Sequence, residues 1–139
     1  MIHYIYKLVF VFRGITMFYE QDWILRQISI IIKFIRSLLS KEGNAYEQDE
    51  EKTVLKEEIE KLIELNRLRE ANSLILKSSK DKDVLDLGLW FYDVLNNLSD
   101  KRLDEGDLAR EDILKGLRIL LYYSDRVDNS IVDIIIDKY

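Results

Sequence analysis

The chain has 139 residues, a formal net charge of −5 and a hydrophobic content of 47%, which predicts one domain with a core of its own. It contains no cysteine and one histidine, His3, which excludes disulfides and thiolate sites and leaves almost no basis for histidine-ligated zinc or a serine–histidine–aspartate triad. With no proline and five glycines, the composition favours an all-α fold and holds no phosphate-binding loop. We therefore predict no enzymatic activity, no cofactor and no metal site.

Residues 1–16 differ in character from the rest of the chain. Their apolar run, Leu8–Phe12, follows no helical period and is shorter than the roughly 20 residues that span a membrane. Arg13-Gly14 can be encoded by a ribosome-binding sequence, and two codons separate it from Met17. We predict that translation starts at Met17 and that residues 1–16 are upstream sequence read in frame. The alternative is a real strand that is frayed or bound to a partner.

The first predicted helix covers residues 19–41, in the segment 17–41, and carries more apolar surface than one core contact needs. Its apolar residues recur at spacings of four, three, four and three, which is the seam of an amphipathic helix. Further apolar residues flank the seam, so the apolar arc exceeds the roughly 100° of a surface helix. The surplus must be buried against a second copy, a foreign protein or lipid. The residues predicted to take part are Trp23, Ile24, Ile28, Ile31, Phe34, Ile35 and Leu38.

Charge is unevenly distributed along the chain. Residues 1–41 have a balance of +4 and residues 42–139 a balance of −9, so the acidic body argues against nucleic acid as a partner. The alternative to a protein partner is an anionic membrane surface, with Arg26, Lys33 and Arg36 contacting the headgroups. Of these, we favour a basic helix that packs on an acidic protein surface, its own body included.

The sequence predicts an acidic linker over residues 42–51 and a helical bundle over residues 52–139. Asn66 is predicted to end the second helix in a left-handed conformation, which makes helices two and three an antiparallel hairpin. Gly88 is predicted to mark a close helix crossing. The bundle helices are predicted over residues 52–65, 68–78, 84–98, 100–105 and 110–123, followed by a short helix in the tail, residues 127–139.

Two further groups of residues are candidates for function. Phe91 is expected in the core, whereas Trp90 and Tyr92 either line a groove for a peptide or pack in the core as well. A group of carboxylates lies around the start of the last long helix, where acids are expected for capping, so we do not predict a catalytic pair. This group comprises Asp104, Glu105, Asp107, Glu111 and Asp112.

Two resemblances follow from these residues. Asn66 in a tight turn, Ala71 four residues after Arg67, and an aromatic-rich next helix resemble a tetratricopeptide-type hairpin. No 34-residue period recurs, so at most one such unit is expected.

The second resemblance covers residues 17–123. It is to a small uncharacterised bacterial family of helical proteins, a domain of unknown function with an opening of the type EQDxIxRxI. Ala109 departs from the capping serine of that family, and the family implies no activity, cofactor or catalytic residue. The matching residues are Glu20-Gln21-Asp22, Arg26, Ile28, Phe91-Tyr92, Leu95-Asn96, Leu98-Ser99-Asp100, Leu103 and Gly116-Leu117.

The sequence thus predicts an all-α fold in which a long N-terminal amphipathic helix precedes a small helical bundle. The expected function is a non-catalytic module for protein interaction or self-association, cytoplasmic and either homo-oligomeric or bound to a protein partner. The alternative is a peripheral membrane protein that uses the basic helix over residues 19–41.

Overall fold

The computed structural model describes residues 13–40, 50–128, 130 and 132–133, with side chains from residue 22 onward. No strand occurs in this part of the chain, which confirms the all-α fold class. The predictions for residues 1–12, 42–49 and 134–139 lie outside the described residues. The described helices are α1 (Arg13–Ser40), α2 (Glu50–Glu64), α3 (Leu68–Asp81), α4 (Leu85–Asn96), α5 (Asp100–Glu105) and α6 (Arg110–Tyr123).

Helix α1 begins earlier than predicted, at Arg13 rather than at residue 19. The apolar seam starts only at Ile24, so its spacing does not show where the helix begins. No proline or helix-ending signal follows Gly14, and the helix therefore extends upstream to Arg13. Whether translation begins at Met17 stays a prediction.

One face of α1 folds back onto the bundle and packs against α4 and α6. Two further residues, Ile32 and Leu39, are buried beside the predicted seam, whereas Leu38 is only half-buried. The buried residues of the seam are Ile24, Ile28, Ile31 and Ile35.

Helices α2 and α3 form an antiparallel hairpin around Asn66, as predicted. The φ angle of Asn66 is 57°, the left-handed conformation that asparagine tolerates better than most residues. The turn closes with hydrogen bonds from the Asn66 and Arg67 N–H groups to the carbonyls of Ile63 (2.9 Å) and Leu62 (2.8 Å). This pattern satisfies carbonyls that the helix end would otherwise leave open.

Helix α6 is the centre of the bundle and contacts α1, α3 and α4. Its bounds agree with the predicted range. The close crossing predicted at Gly88 of α4 is confirmed as well, because a Cβ at this position would overlap the side chain of Leu120 on α6. A second close approach brings Gly116 against the ring of Tyr92. Helices α4 and α6 therefore pack closely at two glycines, Gly88 on α4 and Gly116 on α6.

A buried polar network joins four helices at one end of the bundle. Arg110, at the start of α6, donates to the carbonyls of Asn96 (2.8 Å) and Leu98 (3.0 Å) and to Asp100 Oδ1 (2.8 Å). The Asn96 side chain in turn donates to the carbonyl of Leu25 in α1 at 2.9 Å. Arg110 thus caps the end of α4, and Asn96 fixes the position of α1 on the bundle.

Candidate docking surface

The outward face of α1 carries three large apolar side chains in one line. Trp23, Ile30 and Phe34 are 43%, 56% and 45% exposed. At 3.6 residues per turn, spacings of seven and four place them within an arc of about 40° around the helix. We call these three residues the α1 stripe. It lies away from the face that packs on α4 and α6, so α1 is apolar on two sides.

Charged side chains border the α1 stripe on one side. Asp22 and Arg26 form an ion pair at 2.9 Å, and the exposed Lys33 follows two turns further along the same side. Arg36 differs, because its Nη1 lies 3.4 Å from Asp93 Oδ2 on α4. Of the three cations predicted to face a membrane, Arg36 therefore contacts the body of the protein.

The predicted interaction residues of α1 differ in how far the structure buries them. Trp23 and Phe34 are exposed and belong to the stripe. The third residue of the stripe, Ile30, was not among the predicted site residues. Its spacing of seven residues from Trp23, two helical turns, is the sequence signal that places it on the same side of α1. Of the other five, Leu38 is half-buried. The remaining four lie in the core of the chain itself and cannot contact a partner in this fold, because α4 and α6 already cover them: Ile24, Ile28, Ile31 and Ile35.

Tyr92 packs in the core, the second of the two placements that the sequence allowed, whereas Trp90 stays partly exposed. Tyr92 is fully buried, and its hydroxyl donates to Asn72 Oδ1 at 2.7 Å. Burial raises the pKa of Tyr92 above its ordinary value of 10.0. Trp90 is half-buried, with Lys56 Nζ 4.9 Å from the centre of its ring. Phe91 is in the core, as predicted.

Exposed aromatic residues also occur at the end of α6, where a groove of about 380 Å³ separates it from α3. Two cations lie on this groove, Lys80 and Arg118. Lys80 lies in the last turn of α3, where the partial negative charge of the helix end already accounts for a cation. The apolar and aromatic lining residues are Leu76, Ile119, Tyr122 and Tyr123.

A smaller crevice of about 210 Å³ adjoins this groove, beside the loop between α3 and α4. Arg126 donates to Asp83 (3.3 Å) and Asp86 (3.0 Å) there. Burial alone would lower the pKa of Arg126, but the hydrogen bonds and charges of these two carboxylates raise it. The charge of Arg126 is therefore compensated within the chain by these two carboxylates.

The carboxylates around the start of α6 make capping and pairing contacts. Asp112 Oδ2 accepts from the Ala109 N–H at 2.9 Å, which compensates for an alanine at the N-cap. Asp107 and Asp112 both contact Arg69, at 2.7 and 3.9 Å. In the part of the chain that the structure describes, no three potential ligands approach one another closely enough to hold a metal ion.

The fold and this surface define the class of the protein: a small all-α bundle whose N-terminal helix exposes a second apolar face. Among the described helices, none is long and apolar enough to cross a membrane.

Over residues 18–123 the chain matches the family of unknown function DUF6483, and it belongs to that family. No curated protein and no solved structure matches it.

Proposed function

We propose that this protein is a non-catalytic interaction module that binds a protein chain through the α1 stripe. The observation that supports this function is the stripe itself. Because the described core of the bundle is complete on the other face of α1, burying the exposed parts of Trp23, Ile30 and Phe34 requires a surface outside the described residues.

The size of the stripe is in the range expected for a functional patch. With about 150–250 Å² for each aromatic side chain, the exposed fractions correspond to on the order of 300 Å² in all. The largest apolar patch on a typical monomer is about 300–600 Å² and is often functional. Burying such an area stabilises a complex by about 7 kcal/mol at 25 cal/mol per Å², which is comparable to the cost of association. The stripe is therefore the anchor of an interface that also needs contacts at its edges.

A membrane surface is the second candidate, and the cations Arg26 and Lys33 beside the stripe favour it. A helix that lies in the interface buries aromatic residues and contacts anionic headgroups through lysine and arginine. We place this candidate second because Arg36 contacts Asp93 on α4. A cytoplasmic or membrane-peripheral location, a bacterial origin and a tetratricopeptide-like hairpin are further proposals.

Photo-crosslinking in the producing cells tests the function and captures whatever molecule contacts the stripe. A benzophenone side chain replaces Ile30 in the stripe, and a matched control replaces Val54, which is 61% exposed on α2. We expect protein adducts from position 30 and none from position 54. Adducts to lipid alone would favour the membrane candidate, and equal protein adducts from both positions would refute a specific role of the stripe.

A further inference from the structure

We infer that the groove between α3 and α6 binds a short acidic segment of a partner protein. An apolar side chain of that segment enters the groove, and its carboxylates contact the lysine and arginine side chains around it. The groove belongs to other helices than the α1 stripe, so this site does not depend on the function proposed for the stripe. Its apolar lining and its charges together indicate the ligand.

Helices α3 and α6 run side by side in the same direction. Arg69 near the start of α3 lies 3.9 Å from Asp112 at the start of α6, so this ion pair spans the two helices at one end. At the other end, Lys80 Nζ on α3 lies 6.0 Å from the centre of the Tyr123 ring on α6. The groove between these two contacts therefore presents side chains of both helices to a ligand that lies along it.

Apolar side chains of both helices line the groove, and most of them stay accessible. Leu76 on α3 is half-buried, whereas Ile119, Tyr122 and Tyr123 on α6 are exposed. The two tyrosine rings pack edge to face with their centres 5.7 Å apart. Tyrosine often contributes much of the binding energy of an interface, because it combines a large ring with a hydroxyl group. With a volume of about 380 Å³, the groove is at the lower end of ligand pockets and suits one or two side chains.

The charged residues that line the groove are both cations, Lys80 and Arg118, although residues 42–139 have a balance of −9. Lys115 adds a third, because it precedes Ile119 by one turn on the same side of α6. Neither Lys80 nor Lys115 makes an ion pair with another described residue. The charge at a helix end accounts for Lys80 alone, because Lys115 and Arg118 lie before the last turn of α6. The groove therefore offers positive charge to an anionic ligand.

Carboxylates beyond each end of the groove limit the length of that ligand. At the start of α6, Asp107 and Asp112 outnumber Arg69. In the crevice at the other end, three aspartates outnumber Lys82 and Arg126, beside the lysine that the crevice shares with the groove. The positive stretch between them covers about 12 Å along the helix axes, which corresponds to about four residues of an extended peptide. A polyanion such as nucleic acid would run past both ends and meet these carboxylates, whereas a short acidic segment meets only cations.

A second copy of this chain fits the groove less well than a different protein. An acidic surface of one copy that enters the groove of another makes a heterologous contact, because the groove and the acidic surface are different patches. Each copy would keep one groove and one acidic surface free, and the contact would repeat into open chains instead of a closed dimer. The geometry therefore favours a separate partner.

Selection from a random dodecapeptide library displayed on phage tests the chemistry of the ligand. The immobilised full chain is compared with Lys80→Glu/Arg118→Glu, which reverses two charges of the groove. The matched control Lys61→Glu/Lys101→Glu makes the same change of net charge at exposed positions of α2 and α5. We expect the full chain and the control to enrich peptides that combine acidic residues with a large apolar residue, and the groove variant to lose them. Enriched peptides without an excess of acids, or the same peptides on the groove variant, refute the proposal.

Fluorescence anisotropy with the most enriched peptide, synthesised with a dye, then measures its affinity. We expect a Kd about tenfold higher for Lys80→Glu/Arg118→Glu and for Tyr122→Ala. The control pair and Phe34→Ala, which alters the α1 stripe instead, should leave the Kd unchanged. Loss of binding in Phe34→Ala but not in Tyr122→Ala would place the peptide on the α1 stripe. That result would overturn the groove as the site and leave the proposed function standing.

Two further measurements separate the other occupants of the groove. A labelled oligothymidylate is expected not to bind, and an oligothymidylate that displaces the peptide would assign the groove to nucleic acid and overturn the proposal. Light scattering of the full chain across a concentration series is expected to give the same molar mass for the wild type and Tyr122→Ala. Open chains that Tyr122→Ala dissociates would assign the groove to a second copy and equally overturn the proposal.

Discussion

Arg110 is expected to contribute more to the stability of this bundle than the exposed arginines do. Its side chain is 4% exposed, and its guanidinium donates to the carbonyls of Asn96 and Leu98 and to Asp100. The substitution Arg110→Met keeps an apolar stem of similar length and removes all of these donors. It therefore isolates the hydrogen bonds from the packing of the stem.

The expected magnitude follows from which acceptors stay buried. Asn96 is buried, Leu98 is half-buried, and the carboxylate of Asp100 is 67% exposed. A buried acceptor without a partner costs about 1–3 kcal/mol, whereas water can replace the arginine at Asp100 at little cost. Loss of the buried charge also removes its desolvation penalty, which offsets part of the effect. We expect Arg110→Met to lower the free energy of unfolding by about 2–3 kcal/mol.

Urea denaturation followed by circular dichroism measures this difference, and thermal unfolding should show a Tm lower by about 7–10 °C. The matched control is Arg69→Met, because Arg69 is 59% exposed and donates to Asp107 at the surface. The control should cost less than about 1 kcal/mol. If the two variants agree within 0.5 kcal/mol, on the order of the additivity error of such measurements, the proposed role of the buried network is refuted.

Two further predictions concern α4 and α6. Gly116→Ala is expected to cost about 2–3 kcal/mol, because its Cβ overlaps the buried ring of Tyr92. Gly88→Ala should cost less than about 1.5 kcal/mol, because the Leu120 methyls can move and alanine has the higher helix propensity. A lower urea midpoint for Gly88→Ala than for Gly116→Ala would contradict this reasoning. Tyr92→Phe should cost about 1 kcal/mol at pH 7 through the lost hydrogen bond. Burial raises the pKa of Tyr92 above 10.0 in the folded chain. Above pH 10 the unfolded chain therefore releases this proton first, and the free energy of unfolding that the Tyr92 hydroxyl contributes is lost. Phenylalanine has no such proton. The wild-type advantage should therefore fall by about 1.4 kcal/mol by pH 11, and an advantage constant from pH 8 to 11 would count against the raised pKa.

Several features of the fold could be predicted because they depend on local chemistry. Asn66 marks a helix end because a left-handed residue is costly for most other side chains, and its φ of 57° confirms this. Gly88 marked a close crossing, which the approach of Leu120 confirms. The bounds of α6 were readable from its apolar spacing. The departure at Ala109 showed only that the usual capping side chain was missing, and Asp112 supplies the acceptor.

The buried network had no comparable signal. Arg110 and Asn96 lie 14 residues apart, and arginine and asparagine are most often exposed. Nothing in the periodicity indicates that an arginine at the start of one helix caps the end of another. Such a contact depends on how α4 and α6 meet in space.

The candidate site was predictable in part, because the sequence established how much apolar surface α1 carries but not how that surface is divided. An apolar arc wider than one core contact follows from residue spacing alone, which is why a surplus was expected. Which side faces the bundle depends on where α4 and α6 present their own apolar residues, and that is set by packing between distant segments. The tertiary structure decided that Ile28 and Ile35 belong to the core, and that Trp23, Ile30 and Phe34 stay on the surface.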